Sequence, residues 1–130
     1  MKKQTNRKRL DKKCLNLWAD IIKLPQVCAI TGISQSSLSP ITFHAHHIVS
    51  RRYSAGRYSL DNGLCLSEGA HIIEKADPET FRDNILKVVG GDRLNELKQK
   101  YMRTQKISMA QLELICFELK NQHQNRVENG

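Results

Sequence analysis

Four of the five histidines in this chain fall within the segment 44–71, and this concentration suggests a metal site. They are His44, His46, His47 and His71. Divalent metals bind neutral imidazole readily, and an ion held by only two side chains keeps positions open for water and a phosphate oxygen. Because successive side chains of a strand point to opposite faces, His46 and His47 are expected to serve different roles. One can hold a metal while the other takes a proton from water, which together would hydrolyse a phosphodiester.

Arginines and tyrosines fill the loop that follows the histidine pair. Guanidinium groups bind phosphate oxygens bidentately, so Arg51, Arg52 and Arg57 are predicted to contact phosphates. Tyr58 is predicted to join them, and Tyr53 fits packing equally well. The alternative is that these side chains are solvated charges on an exposed loop and bind no phosphate.

The net charge of +8 is concentrated at the N-terminus. Residues 1–13 contain seven Lys or Arg against the single Asp11. This pattern favours a basic arm over residues 1–9 that touches nucleic-acid phosphates, although a solubilising tail would have the same composition.

The cysteines form no CxxC pair and are expected mainly as small buried side chains: Cys14, Cys28, Cys65 and Cys116. Two of them, Cys28 and Cys65, flank the histidine region. A closed structural zinc site needs about four ligands. The set Cys28, His46, Cys65 and His71 therefore stays open as an alternative to a catalytic metal.

Hydrophobic periodicity predicts an α+β fold that is mostly helical. Residues 9–23 repeat apolar positions at helical spacing, whereas 41–49 and 63–66 are typical of short strands around a polar loop, 50–62. Start and break signals predict the later helices, at Ser67-Glu68, at Pro78, after Gly90-Gly91 and at Ser108. The chain contains no apolar stretch of the roughly 20 residues that span a membrane, so we expect a cytoplasmic protein without a membrane partner.

The pattern HHI–x13–N–x8–H, formed by His46-His47-Ile48, Asn62 and His71, resembles the HNH (His-Asn-His) nuclease motif of the ββα-metal superfamily. Its spacing is similar to that of DNase-type colicins. The text HHIVSRRYSAGRYSLDNGLCL and the later DPETF segment are still more similar to small phage and prophage HNH proteins. The resemblance covers roughly residues 28–90.

The resemblance implies a DNA endonuclease whose core is two short antiparallel strands and a helix around one divalent ion. His47 would be the general base, and His46 and His71 would bind Mg²⁺, Mn²⁺, Ni²⁺ or Zn²⁺. Asn62 would brace the loop that holds the base. The sequence does not distinguish DNA from RNA as the substrate. The alternative function is a non-catalytic nucleic-acid-binding module of the same fold.

Two further side chains are candidates for supporting roles, and the chain also departs from the pattern of the family. His44 could orient His47, contact DNA or occupy an exposed face of the strand, and Glu74 is a candidate third ligand. Thr31 stands where relatives carry the second cysteine of a zinc knuckle, and Lys75 stands where some carry another histidine. Within a single domain, 1–130, we expect the HNH core over about 28–77 and C-terminal helices over about 78–126.

Overall fold

The computed structural model describes residues 5–129, and it is an α+β protein in which helices predominate. A two-stranded antiparallel sheet lies in the middle of the chain. The helices and strands are α1 (Asn6–Lys23), β1 (Phe43–His47), β2 (Gly63–Ser67), α2 (Glu68–Ala76), α3 (Pro78–Val89), α4 (Gly91–Tyr101) and α5 (Met109–Asn129). The prediction of a mostly helical α+β fold with two short antiparallel strands is therefore confirmed.

The elements begin and end close to the predicted positions, with two differences. The first helix begins at Asn6, because the side chain of Thr5 accepts a hydrogen bond from the amide of Lys8 and caps it. Residues 6–9, expected as part of a basic arm, are thus helical, and residues 1–4 of that arm lie outside the described residues. The segment 50–62, expected as an open loop, contains two single turns of 3-10 helix, Ser54–Gly56 and Leu60–Asn62.

The register of the sheet fixes where the histidine pair lies. Strands β1 and β2 are joined by a long loop, 48–62, and His46 is opposite Leu64 while His47 is opposite Gly63. The alternation of side chains then separates the two imidazoles. His46 contacts α2 and α3, whereas His47 contacts α1.

Helix α1 packs on α5 and closes one side of the sheet. Trp18 and Ile21 of α1 are buried with Leu112 and Leu119 of α5. Cys14 and Cys116 belong to this cluster, as expected for buried thiols in an apolar core. The longest helix thus holds α1 in place against β1.

Helices α2 and α3 cover the other side of the sheet. Leu66 of β2 is fully buried with Ala70 of α2 and with Phe81 and Ile85 of α3. Helix α4 packs separately, through Leu97, on the loop that follows β1. Within residues 5–129, none of the helices combines the length and the apolar character that crossing a membrane requires.

A substitution at Gly63 tests the close packing of α1 on the sheet. A Cβ at this position would lie 2.5 Å from Cδ1 of Ile22 and 2.8 Å from Cζ2 of Trp18. We therefore expect Gly63→Ala to lower the free energy of unfolding by about 1–3 kcal/mol, measured by urea titration. Gly69→Ala is the matched control, because a Cβ at Gly69 in α2 has nothing within 4 Å. Equal effects of the two substitutions would contradict this packing argument.

Candidate metal centre

His46, His71 and Glu74 bring three potential metal ligands together. His46 comes from β1, and the other two lie one turn apart on α2, where residues i and i+3 share a face. The side chain of Ser67 caps α2 by accepting from the amide of Ala70, so the helix begins directly after β2. Their ligand atoms all lie within 4.8 Å of one another.

The donor set fits a divalent transition metal. Nδ1 of His46 lies 3.8 Å from Oε2 of Glu74. Ligands bound at about 2.0–2.2 Å lie roughly 3–4 Å apart around such an ion, so small side-chain rotations would bring all three into range. Two imidazoles and one carboxylate suit zinc, nickel or manganese better than magnesium, which prefers oxygen ligands. Glu74, the candidate third ligand of the sequence analysis, lies with the two histidines in this group.

The surroundings of His46 keep it uncharged. Burial lowers the pKa of His46, and the neighbouring His71 and His47 lower it further, against the opposite effect of Glu74. A neutral imidazole is the form that binds metals. The edge of His46 meets the ring of Phe81 at 5.1 Å between centroids, which fixes its orientation.

His44 is stacked on His71, with ring centroids 4.8 Å apart. The two residues therefore pack across the interface between β1 and α2. His44 thus contacts His71, and the contacts of the His47 ring are instead with Trp18 and Arg57, so the orienting role considered for His44 towards His47 is not what this arrangement favours. His44 lies outside the group of potential ligand atoms.

His47 is held between a tryptophan and a backbone carbonyl. Its ring is stacked on Trp18 at 3.8 Å with an interplanar angle of 11°, and its Nε2 lies 2.8 Å from the carbonyl oxygen of Arg57. A carbonyl only accepts hydrogen bonds, so Nε2 carries the proton and Nδ1 keeps a lone pair. Burial lowers the pKa of His47, which keeps this imidazole neutral at neutral pH.

Asn62 is fully buried, and all of its amide contacts are to backbone. Its Oδ1 accepts from the amide of Val49 at 2.7 Å, and its Nδ2 donates to the carbonyls of Val49 and Gly56, both at 3.0 Å. The side chain thus joins two distant points of the loop 48–62. This is the bracing position that the sequence predicts for Asn62.

The loop arginines take different places. Arg57 donates two hydrogen bonds to Asp11 of α1, at 2.9 and 2.8 Å, and the hydroxyl of Tyr58 donates to the same carboxylate. These pairings favour a structural role for Arg57 and Tyr58 over the phosphate contacts predicted for them. Arg52 lies over the ring of Tyr53, on an exposed part of the loop.

A cleft of about 1130 Å³ contains the candidate centre. One wall carries His46, His47, His71, Glu74 and Arg51. The opposite wall is formed by α3 and α4 and includes Arg82, Leu86, Leu94 and Lys98. Sequence reasoning missed this second wall, because nothing in the spacing of α3 and α4 indicates that they face the histidines.

The closed zinc site considered from the sequence is not formed. Among residues 5–129, only His46, His71 and Glu74 form a group of three or more potential ligands, and neither Cys28 nor Cys65 belongs to it. Both thiols are buried in the apolar cluster that includes Leu66. The strands explain this, since Cys65 pairs with Ala45 and not with His46, and neighbouring positions of β1 face opposite ways.

The geometry thus combines a group suited to a metal with a neutral histidine, His47, that is among the residues of the same cleft. Such an arrangement can polarise an ester oxygen and deprotonate a water. Neither a family model, nor a curated protein, nor a solved structure matches this chain. The functional argument therefore depends on the residues and their positions.

Substitution of Glu74 tests the metal group directly. We expect Glu74→Gln to weaken the binding of Zn²⁺ or Mn²⁺ by at least about tenfold, because the amide is a poorer ligand than the carboxylate. Isothermal titration calorimetry at neutral pH measures this. Glu68→Gln is the matched control on the same helix, outside the ligand group. Equal affinities for the two variants would remove Glu74 from the ligand set.

The contact of Asp11 with Arg57 and Tyr58 predicts a pH-dependent contribution to stability. Burial raises the pKa of Asp11, but the hydrogen bonds from Arg57 and Tyr58 outweigh it and hold that pKa below its ordinary value. A carboxyl whose pKa is depressed in the folded state stabilises that state above its unfolded pKa of about 3.9. The stabilisation is lost as the pH falls through the folded pKa.

We therefore expect Asp11→Asn to be less stable than the parent protein at pH 6, with a difference that narrows towards pH 3. Urea titrations at both pH values measure the free energies of unfolding. Asp20→Asn, on the same helix and outside this cluster of contacts, is the control. A difference that is constant with pH would show that the Asp11 carboxylate is not engaged as described.

Proposed function

We propose that this protein is a metal-dependent endonuclease of the HNH type that hydrolyses phosphodiester bonds of DNA. The observation that carries the proposal is the placement of His47. Its Nε2 is bonded to the carbonyl of Arg57, and His47 is among the residues that line the cleft containing His46, His71 and Glu74. A base and a metal group in one cleft are the two parts that this hydrolysis needs.

The divalent ion, when bound, supplies a Lewis acid that neutralises the charge developing on the phosphate and on the leaving oxygen. His46, His71 and Glu74 would hold it. His47 would take the proton of the attacking water on Nδ1, because Nε2 is already protonated and donates to the carbonyl of Arg57. The same carbonyl would then stabilise the imidazolium that forms.

Asn62 acts on this step through the backbone. Its amide fixes the carbonyl of Gly56, and the next residue along the chain, Arg57, provides the carbonyl that receives the Nε2 hydrogen of His47. Trp18 limits rotation of the His47 ring from the other side. Preorganisation of this kind reduces the cost of aligning base, water and phosphate.

The charge of the protein supports an anionic polymer as substrate. The net charge is +8, and Arg51 lies in the cleft beside the histidines. Each phosphate that a Lys or Arg neutralises adds salt-dependent affinity for either DNA or RNA. Plasmid DNA is therefore the first substrate to test, with RNA of the same sequence beside it.

His47→Ala is expected to lower the rate of plasmid nicking by about 100-fold or more, the usual contribution of a general base. The assay begins from protein stripped with a chelator and adds Mg²⁺, Mn²⁺, Ni²⁺ or Zn²⁺ separately. His123→Ala is the matched control, since His123 lies on α5 and does not line the cleft. Nicking at the parent rate by His47→Ala would show that His47 is not the base.

A different result would select the alternative function. If no ion supports nicking but a gel shift shows retained DNA binding, the protein is a non-catalytic nucleic-acid-binding module. If neither nicking nor binding occurs, nucleic acid is not the partner.

A further inference from the structure

The wall opposite the histidines is fixed at two points beside the candidate centre. Phe81 of α3 is buried and meets the ring of His46. Leu97 of α4 is buried against Val49, two residues after His47. Because both anchors belong to the core, α3 and α4 form a permanent side of the cleft.

The neighbours of these two anchors bring positive charge into the cleft. Arg82 follows Phe81, and Lys98 follows Leu97; both side chains line the cleft, across from Arg51. Among residues 5–129, none of these three side chains takes part in an ion pair. The two carboxylates of the cleft are Glu74, which belongs to the ligand group, and Asp83.

Several other cations near the loop are neutralised, since Arg57 pairs with Asp11, and both Arg93 and Lys100 pair with Asp61. Arg51, Arg82 and Lys98 keep a charge that is available to an external anion, as does Arg52, which contacts Tyr53 outside the cleft. A cleft that carries three such cations suits a polyanion.

Apolar surface lies between the cations on the same wall. Leu86 is 45% exposed, and Leu94 and Pro78 line the cleft beside it. Unpaired bases gain from contact with apolar side chains, whereas bases in a duplex are stacked within the helix and present only their edges. The cleft, at about 1130 Å³, is also larger than the roughly 300–1,000 Å³ of small-molecule sites.

We propose that the cleft between the histidine wall and the α3–α4 wall binds single-stranded nucleic acid, with Arg82 and Lys98 as phosphate-binding residues that determine this preference. The inference rests on the proposed nuclease function and names its substrate class. One strand lies between the walls, its phosphates reach Arg51, Arg82 and Lys98, and its bases contact Leu86 and Leu94. The bases of a duplex are stacked within the helix and do not reach Leu86 and Leu94, so we expect a duplex to bind this cleft less tightly than a single strand.

The first experiment measures binding without cleavage. The full-length His47→Ala protein is titrated with a fluorescent single-stranded DNA, the same sequence as RNA, and the corresponding duplex, at several salt concentrations. We expect either single strand to bind at least about tenfold more tightly than the duplex. Comparison of the DNA and RNA strands identifies which of the two is preferred.

The second experiment tests the two residues in the same background. The double substitution Arg82→Ala with Lys98→Ala is expected to make the negative slope of log K against log salt for single strands shallower by about 1.4, since each phosphate contact contributes about 0.7 to its magnitude. Lys87→Ala with Arg126→Ala removes the same charge from α3 and α5 outside the cleft and is the control. Circular dichroism confirms that both double variants keep their helical content.

The outcomes separate this inference from the function on which it rests. Equal or tighter binding of the duplex, or equal salt slopes for the two double variants, would overturn the single-strand inference. Cleavage of a duplex plasmid by the parent protein at the rate found for single strands would do the same, while the nuclease function would stand. If the parent protein cleaves no substrate with any of the ions but binds single strands tightly, the single-strand inference stands and the nuclease function does not.

Discussion

The buried amide of Asn62 joins the two ends of the loop on which the candidate site depends. It contacts Val49, two residues after the histidine strand, and Gly56, in the middle of the loop. The backbone carbonyl of Asn62 accepts from the amide of Ile48, which adds a further link to the same region. Leaving a buried polar group without a hydrogen bond costs free energy, so conformations of the loop that break these contacts are disfavoured. The position of the Arg57 carbonyl, and with it the tautomer of His47, follows from that constraint.

Two carboxylates then attach this loop to the helices on either side of it. Asp11 of α1 accepts from Arg57 and Tyr58. Asp61, at the other end of the loop, accepts from the hydroxyl of Tyr101 in α4. Burial raises the pKa of Asp61, but the hydrogen bonds of Tyr101 and Lys100 hold it below its ordinary value, so the carboxylate stays charged. The two helices α1 and α4 therefore hold the loop, and the loop in turn fixes their positions relative to the histidines.

The sequence predicted the parts of the site that depend on local pattern. Alternation along a strand separated His46 from His47, and the helix start predicted at Ser67 placed His71 in the first turns of α2. The sequence could not show that Trp18 would stack on His47 or that Arg57 would pair with Asp11. These contacts join residues far apart in the chain, and periodicity contains no information about which distant elements meet. The wall formed by α3 and α4 was missed for the same reason.

The pairing of cations distinguishes structural charges from those available for binding. An arginine that is partly buried, such as Arg57, needs a carboxylate partner, because an unpaired charge in that environment is costly. Arg82 and Lys98 lie on exposed surfaces of their helices, where water can solvate them at little cost. Arg82 and Lys98 line the cleft because each follows a buried residue, Phe81 or Leu97, that holds the backbone there. In this protein, therefore, the apolar anchors of α3 and α4 decide where the accessible positive charge lies relative to the histidines.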